Sequence, residues 1–234
     1  KDIFALRRPE QMATSLQRLS AELATYSDHA FTLPPLPMTR WFSEHFHGEQ
    51  HFAHAVIVNV PNDVTLSHLE AALMALLRAH PVLRSVYPSD IASSELGSLY
   101  IPAMAQLKEI APDWLADYYG QYDAGFDFAI SRLAPQRGIM GQMLLCREDP
   151  QQLRLMVVLH HLVVDGVSWR ILLPELEQAV TAQFANRESV IAAEEYPVEQ
   201  WARTLDAQVD KRRGAELVFW IQQLQESLPS LGNR

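Results

Sequence analysis

The sequence predicts an α/β fold, and three observations carry that expectation. Apolar runs rich in β-branched residues, at 52–60 (FAHAVIVNV) and 153–161, are bounded by turn residues, as strands are. Between and after them apolar residues recur at helical spacing, as at Leu66, Leu69, Leu73, Leu76 and Leu77. Apolar residues make up 48% of the 234 and charged ones 20%, with only 9 Gly and 14 Pro, which excludes disorder and collagen-like repeats and leaves a packed core.

Taken in order, residues 1–19 have helical apolar spacing with no capping residue ahead of them, so they read as the end of an element begun earlier. Residues 20–37 read as a linker, because the proline-rich stretch 32–37 (TLPPLP) cannot be helical inside. The main domain is then 38–234. Its first strand, 52–60, stops at Pro61-Asn62-Asp63, and Thr65 caps a helix that runs to His80 before Pro81. A further strand is predicted at 82–87, a short one at Tyr100-Ile101 and a short helix at 114–120. Residues 140–147 and 153–161 read as a hairpin joined through 148–152. Helical patterns follow at 168–185, 198–209 and 215–228, with Pro174 expected to kink the first of them.

The charge sum is −9, which sets no field for gripping a phosphate backbone or an anionic bilayer, so neither nucleic acid nor membrane is expected as a partner. The single cysteine, Cys146, cannot make an internal disulfide. With no signal-peptide pattern and no apolar span long enough to cross a bilayer, the expected location is cytoplasmic.

The most informative run is 159–170 (LHHLVVDGVSWR). Successive strand residues face opposite sides, so His160 and His161 cannot address one pocket: one is structural and the other available. Asp165-Gly166 ends the strand and Ser168 begins a helix, whose positive end favours the neutral imidazole that can accept a proton. Singly, each residue has a plain explanation, as a core histidine or an N-cap aspartate. Together, at a strand-to-helix turn, they point to acid–base chemistry.

This run resembles the HHxxxDG motif of the condensation and epimerization domains of nonribosomal peptide synthetases, which share a chloramphenicol-acetyltransferase-like fold. The wording VVDGVSWR is similar to the epimerization branch. Residues 35–42 (PLPMTRWF) resemble the family's opening motif PIQxWF, and 80–87 (HPVLRSVY) its HxxLRxxF stretch. Glu199-Gln200-Trp201-Ala202 and 216–224 (ELVFWIQQL) are similar to two helices that follow the motif, while 1–13 (KDIFALRRPEQMA) resembles the last helix of a peptidyl carrier protein. The resemblance implies one lobe of a two-lobed domain, built as a mixed sheet with helices packed on it. Everything matched belongs to the N-terminal lobe. The second lobe's glutamate motif, EGHGRE, does not occur before Arg234.

The resemblance also implies roles. His161 is the acid/base group, with His160, Asp165, Gly166 and Arg84 in support. Asp165 and Arg84 are expected to form an ion pair, and Gly166 to permit a tight turn with room for a ligand arm. Trp41, Ser168 and Trp169 are candidates for facing a tunnel or a carrier, with ordinary packing the plainer reading of Trp41. No cofactor is bound directly; the reacting group rides on the phosphopantetheine arm of a carrier-protein partner. Further partners are the C-terminal lobe, a neighbouring synthetase domain or a second copy. The chain alone is expected to be inactive. A condensation domain and a noncatalytic docking module are the competing readings.

Other candidates carry less. His45, His47, His51 and His54 suggest a metal site, yet no cysteine or carboxylate pattern completes a ligand set, so no metal is expected. Glu194-Glu195 and 211–213 read as solvated charge, and the seven methionines as core filling.

Overall fold

A computed structural model describes residues 26–45, 52–87, 98–149 and 151–225. The predicted carrier-like helix of residues 1–19 lies outside the described residues. Strand β1 (Phe31–Leu33), helix α1 (Pro37–His45), strand β2 (Ala53–Asn59) and helix α2 (Leu66–Ala79) come first, followed by β3 (Leu99–Ile101) and β4 (Leu115–Tyr118). Helix α3 (Tyr122–Ser131), the hairpin β5 (Gly141–Asp149) and β6 (Gln152–His160), and helices α4 (Trp169–Phe184) and α5 (Val198–Gln225) complete the order.

The main sheet has the order β2-β6-β5-β4, with β2, β6 and β5 antiparallel and β4 parallel to β5, which makes it the mixed sheet expected. Helices α2 and α4 cover one face. Leu69, Leu73, Leu76 and Leu77 of α2 and Leu172 and Leu176 of α4 pack there against Leu155, Val157 and Leu159 of β6. The other face carries α3, through Ala129 and Ile130 against Leu144, Met156 and Val158. Burial on both faces explains why β5 and β6 read as continuous apolar runs rather than alternating ones.

Local chemistry accounts for the helix starts. The Thr65 hydroxyl accepts the His68 amide at 3.3 Å while the His68 ring receives the Thr65 amide, a reciprocal cap. Pro37 opens α1, where the missing N–H has no intrahelical partner in any case.

Four expectations change. Residues 82–87 are not a strand: Pro81 presets a helical φ and starts a 3₁₀ turn, Pro81–Arg84, leaving only a bridge from Val86 to Tyr100. Residues 114–120 are not a helix, because Leu115–Tyr118 finds open hydrogen-bonding groups beside β5 and pairs there as β4. The two last helices are one, running through Gly214. A mid-helix glycine costs only about 1 kcal/mol relative to alanine, too little to end a helix of 28 residues. Within the expected linker, β1 pairs with β3, and Asp28 bonds Arg78 at 2.9 Å, so its later residues belong to the folded unit.

Candidate functional site

The hairpin strand β6 delivers both histidines to one end of the sheet. The His160 amide donates to the Met140 carbonyl, and the His161 amide to that of Phe52, each at 2.8 Å. Their side chains then diverge as strand alternation requires. His160 is buried, edge-on to Phe42 at 5.5 Å, and its Nδ1 accepts the Leu162 amide at 3.2 Å. Accepting from an N–H leaves Nδ1 unprotonated, so the neutral His160 ring carries its proton on Nε2. His160 is the structural member of the pair.

His161 is half-buried, and its Nδ1 faces an acceptor rather than a donor. Its Nδ1 lies 2.6 Å from the Val164 carbonyl oxygen. A carbonyl only accepts, so Nδ1 is the donor, and in the neutral form of the ring the lone pair then sits on Nε2. The ring rests against Phe52, at 4.6 Å between centroids, and against His54, at 4.2 Å. Burial, and secondarily the neighbouring His161, hold the His54 imidazole below its ordinary value.

Asp165 organises the turn. Its Oδ1 accepts the amides of Val167 and Ser168 and the Ser168 hydroxyl, at 3.0, 2.8 and 2.7 Å, while its own amide donates to the Ser168 Oγ. These bonds, those from Ser168 first, hold its carboxyl below the usual range. The cap at the start of α4 is therefore Asp165, not Ser168, whose hydroxyl is committed to Asp165.

The expected Asp165–Arg84 ion pair does not form. Arg84 is 1% exposed and spends its guanidinium on the carbonyls of Pro102 at 3.0 Å, Leu77 at 2.8 Å and Ser27, and on the Met104 sulfur. Asp165, exposed, already has three donors on Oδ1. Gly166 is corrected as well. Its φ is not positive, so the turn does not require glycine; a Cβ there meets nothing within 4 Å.

Of the other candidates, Trp41 is exposed on α1 and stacks on His45 at 5.1 Å. Trp169 is half-buried and packs against the main core beside Leu172 and Leu176. His47 and His51 lie outside the described residues. Among the described residues no group of three or more potential ligands converges on a metal position, and no helix is long and apolar enough to cross a membrane.

Two groups escaped the sequence reading. His54, weighed only as a metal ligand, belongs beside His161. His80, Glu175 and Glu194 form a cluster: the His80 ring lies 2.5 Å from Glu175 Oε2 through Nε2 and 2.9 Å from Glu194 Oε1 through Nδ1. Glu194 is thus bonded rather than free in solvent. The cluster borders a cavity of about 380 Å³ whose lining includes Val163, Ser168 and Ile171. The spacing of His80 from two acids over 95 and 114 residues left no local signal.

A family model described as Condensation domain matches residues 32–232. The chain is 26% identical over 234 residues to vanchrobactin synthetase VabF of Vibrio anguillarum, covering 97% of this chain and 8% of the relative. It is 27% identical over 228 residues to surfactin synthase subunit 1 of Bacillus subtilis (strain 168), covering 95% and 6%. Among solved structures it is similar to the epimerization domain from the third module of tyrocidine synthetase B, with a TM-score of 0.70 at 20% identity, over 87% of this chain and 48% of that one. It is likewise similar to the X-domain in complex with OxyB from teicoplanin biosynthesis, with a TM-score of 0.64 at 16% identity, over 94% and 49%. The chain spans less than a tenth of these synthetases and about half of these solved chains.

Proposed function

Since the chain belongs to the condensation-domain family, we propose that it is the histidine-bearing lobe of an epimerization domain in a nonribosomal peptide synthetase. Its substrate on this reading is an aminoacyl or peptidyl thioester carried on the phosphopantetheine arm of a carrier protein. The thioester carbonyl acidifies the hydrogen on the α-carbon. Nε2 of His161 removes that proton, leaving an enolate-like anion, and return of a proton to the opposite face inverts the centre. The return needs a second donor, which the family resemblance assigns to a glutamate of the other lobe.

One observation carries this reading: the 2.6 Å bond from Nδ1–H of His161 to the Val164 carbonyl, which in the neutral ring puts the basic lone pair on Nε2 at the start of α4. The turn that supplies this carbonyl is itself held by Asp165. The motif wording VVDGVSWR and the likeness to a solved epimerization domain support the choice of branch.

The matching family model supports a second reading, a condensation domain in which His161 assists attack of an amine on the thioester. Both are tested on one protein, the chain extended through the second lobe, given a carrier-bound L-aminoacyl thioester in deuterated water. Deuterium at the α-carbon and D-product, both lost in His161→Ala, support epimerization. Peptide formation with an acceptor carrier supports condensation instead. Neither product, with carrier binding intact, leaves a docking module. The 234-residue chain alone is expected to exchange no α-hydrogen.

A further inference from the structure

Among the described residues, strand β2 lies at the edge of the sheet and pairs with β6 alone. In register, Ala53 stands opposite His160 and His54 opposite Leu159. Phe52 and His54, two residues apart, therefore face the same side, and both rings lie against His161. Phe52 adds its backbone carbonyl, which receives the His161 amide at 2.8 Å. The catalytic ring is thus bonded at its Nδ1 end and packed against the ring of Phe52, just before β2, and that of His54 within it.

Phe52 is explained by packing, since it also lies against Phe42 at 5.5 Å. His54 is not explained this way. A half-buried strand position is served at lower cost by valine or threonine, whereas an imidazole there is partly stripped of water and disfavoured in its charged form. What a histidine offers over an alkyl group is an electron-rich ring facing the one side chain that gains positive charge when it takes a proton.

We propose that His54 is a positioning residue for His161: its ring, 4.2 Å away, fixes the plane of the His161 imidazole and supports the imidazolium formed when Nε2 accepts a proton. The inference rests on the acid–base role assigned above to His161. It requires an aromatic face at position 54 rather than a titrating group there, so phenylalanine substitutes for histidine and alanine does not.

The test has two arms. In the chain extended through the second lobe, His54→Ala lowers kcat for α-hydrogen exchange by about tenfold with KM unchanged, while His54→Phe stays within about threefold of the parent. In the 234-residue chain, nitrogen NMR of His161 reads a single Nδ1–H tautomer in the parent and in His54→Phe, and an averaged tautomer in His54→Ala. An unchanged kcat and tautomer in His54→Ala overturn the inference, as does a His54→Phe variant as impaired as His54→Ala. Should the parent show no exchange, the epimerization reading falls, and the tautomer arm alone decides the role of His54.

Discussion

His80 and Glu175 join the end of α2 to the body of α4 through a 2.5 Å contact, and the second ring nitrogen of His80 bonds Glu194 at 2.9 Å. An ionised carboxylate only accepts, so a ring that serves two of them carries both protons and is an imidazolium. Burial works against that charge, but the hydrogen bonds His80 donates to Glu194 and Glu175 and the charges of those acids outweigh it and raise the His80 value above its ordinary 6.5. This clasp ties the α4 helix, which follows the motif turn, to the irregular segment holding Glu194.

The clasp predicts alkaline loosening. A raised folded value means the stabilisation is complete below the unfolded value of 6.5 and is lost as pH rises through the folded one. Thermal melts between pH 6 and 9 are expected to show Tm falling through that window, and His80→Gln to flatten the fall. An unaltered pH profile in His80→Gln would remove His80 as its source. At pH 6 the substitution costs on the order of 1–3 kcal/mol, since two carboxylates lose a charged donor.

Asp165→Ala removes the acceptor of three bonds at the start of α4 and is expected to cost about 1 kcal/mol. Because the Asp165 carboxyl is held low, its contribution is present above the unfolded value near 3.8 and fades as pH drops through the folded one. Chemical denaturation at pH 7 and pH 3 checks both statements: the gap between parent and variant narrows at the lower pH. Asp165→Asn keeps an acceptor oxygen and is expected to fall between the two.

Arg84 and Asp165 are predicted to be energetically independent. Arg84→Met strands the carbonyls of Leu77, Pro102 and Ser27 and costs on the order of 3 kcal/mol or more. In a double-mutant cycle with Asp165→Ala, the interaction energy is expected to stay within about 0.5 kcal/mol of zero. A larger coupling would restore the ion pair that the sequence resemblance implied.

Helix α5 leaves Val209, Leu217, Val218, Phe219, Trp220 and Ile221 exposed. Five consecutive apolar residues, 217–221, pass all round a helix and leave no polar side at that level. The 234-residue chain is expected to self-associate with rising concentration in light scattering, and Phe219→Lys with Trp220→Lys to return it toward a monomer. A parent chain that stays monomeric at high concentration would count against this surface as an interface.

What could be read in advance was local. The Thr65 cap, the hairpin of β5 and β6 and the two-faced arrangement of His160 and His161 each depend on residues a few positions apart, where spacing determines geometry. The same holds for Asp165, whose partners are two and three residues away. What could not be read depends on which distant segments meet. The contact of His54 with His161 comes from the register of β2 on β6, and β4 exists only because β5 offers it an edge. Arg84 illustrates the hazard of assigning a partner by type: a buried guanidinium with five donors is satisfied as well by carbonyls as by a carboxylate.

The pairing of β2 with β6 makes the site a matter of parity. Whether an imidazole or a methyl group meets the His161 ring depends on an odd or even count along one border strand, since Ala53 and Ala55 flank His54. Sliding that strand by one position would empty the place beside His161 without altering a single side chain. Loss or gain of one residue between Phe52 and Asn59 is therefore a graver injury to this site than most exchanges of one amino acid for another.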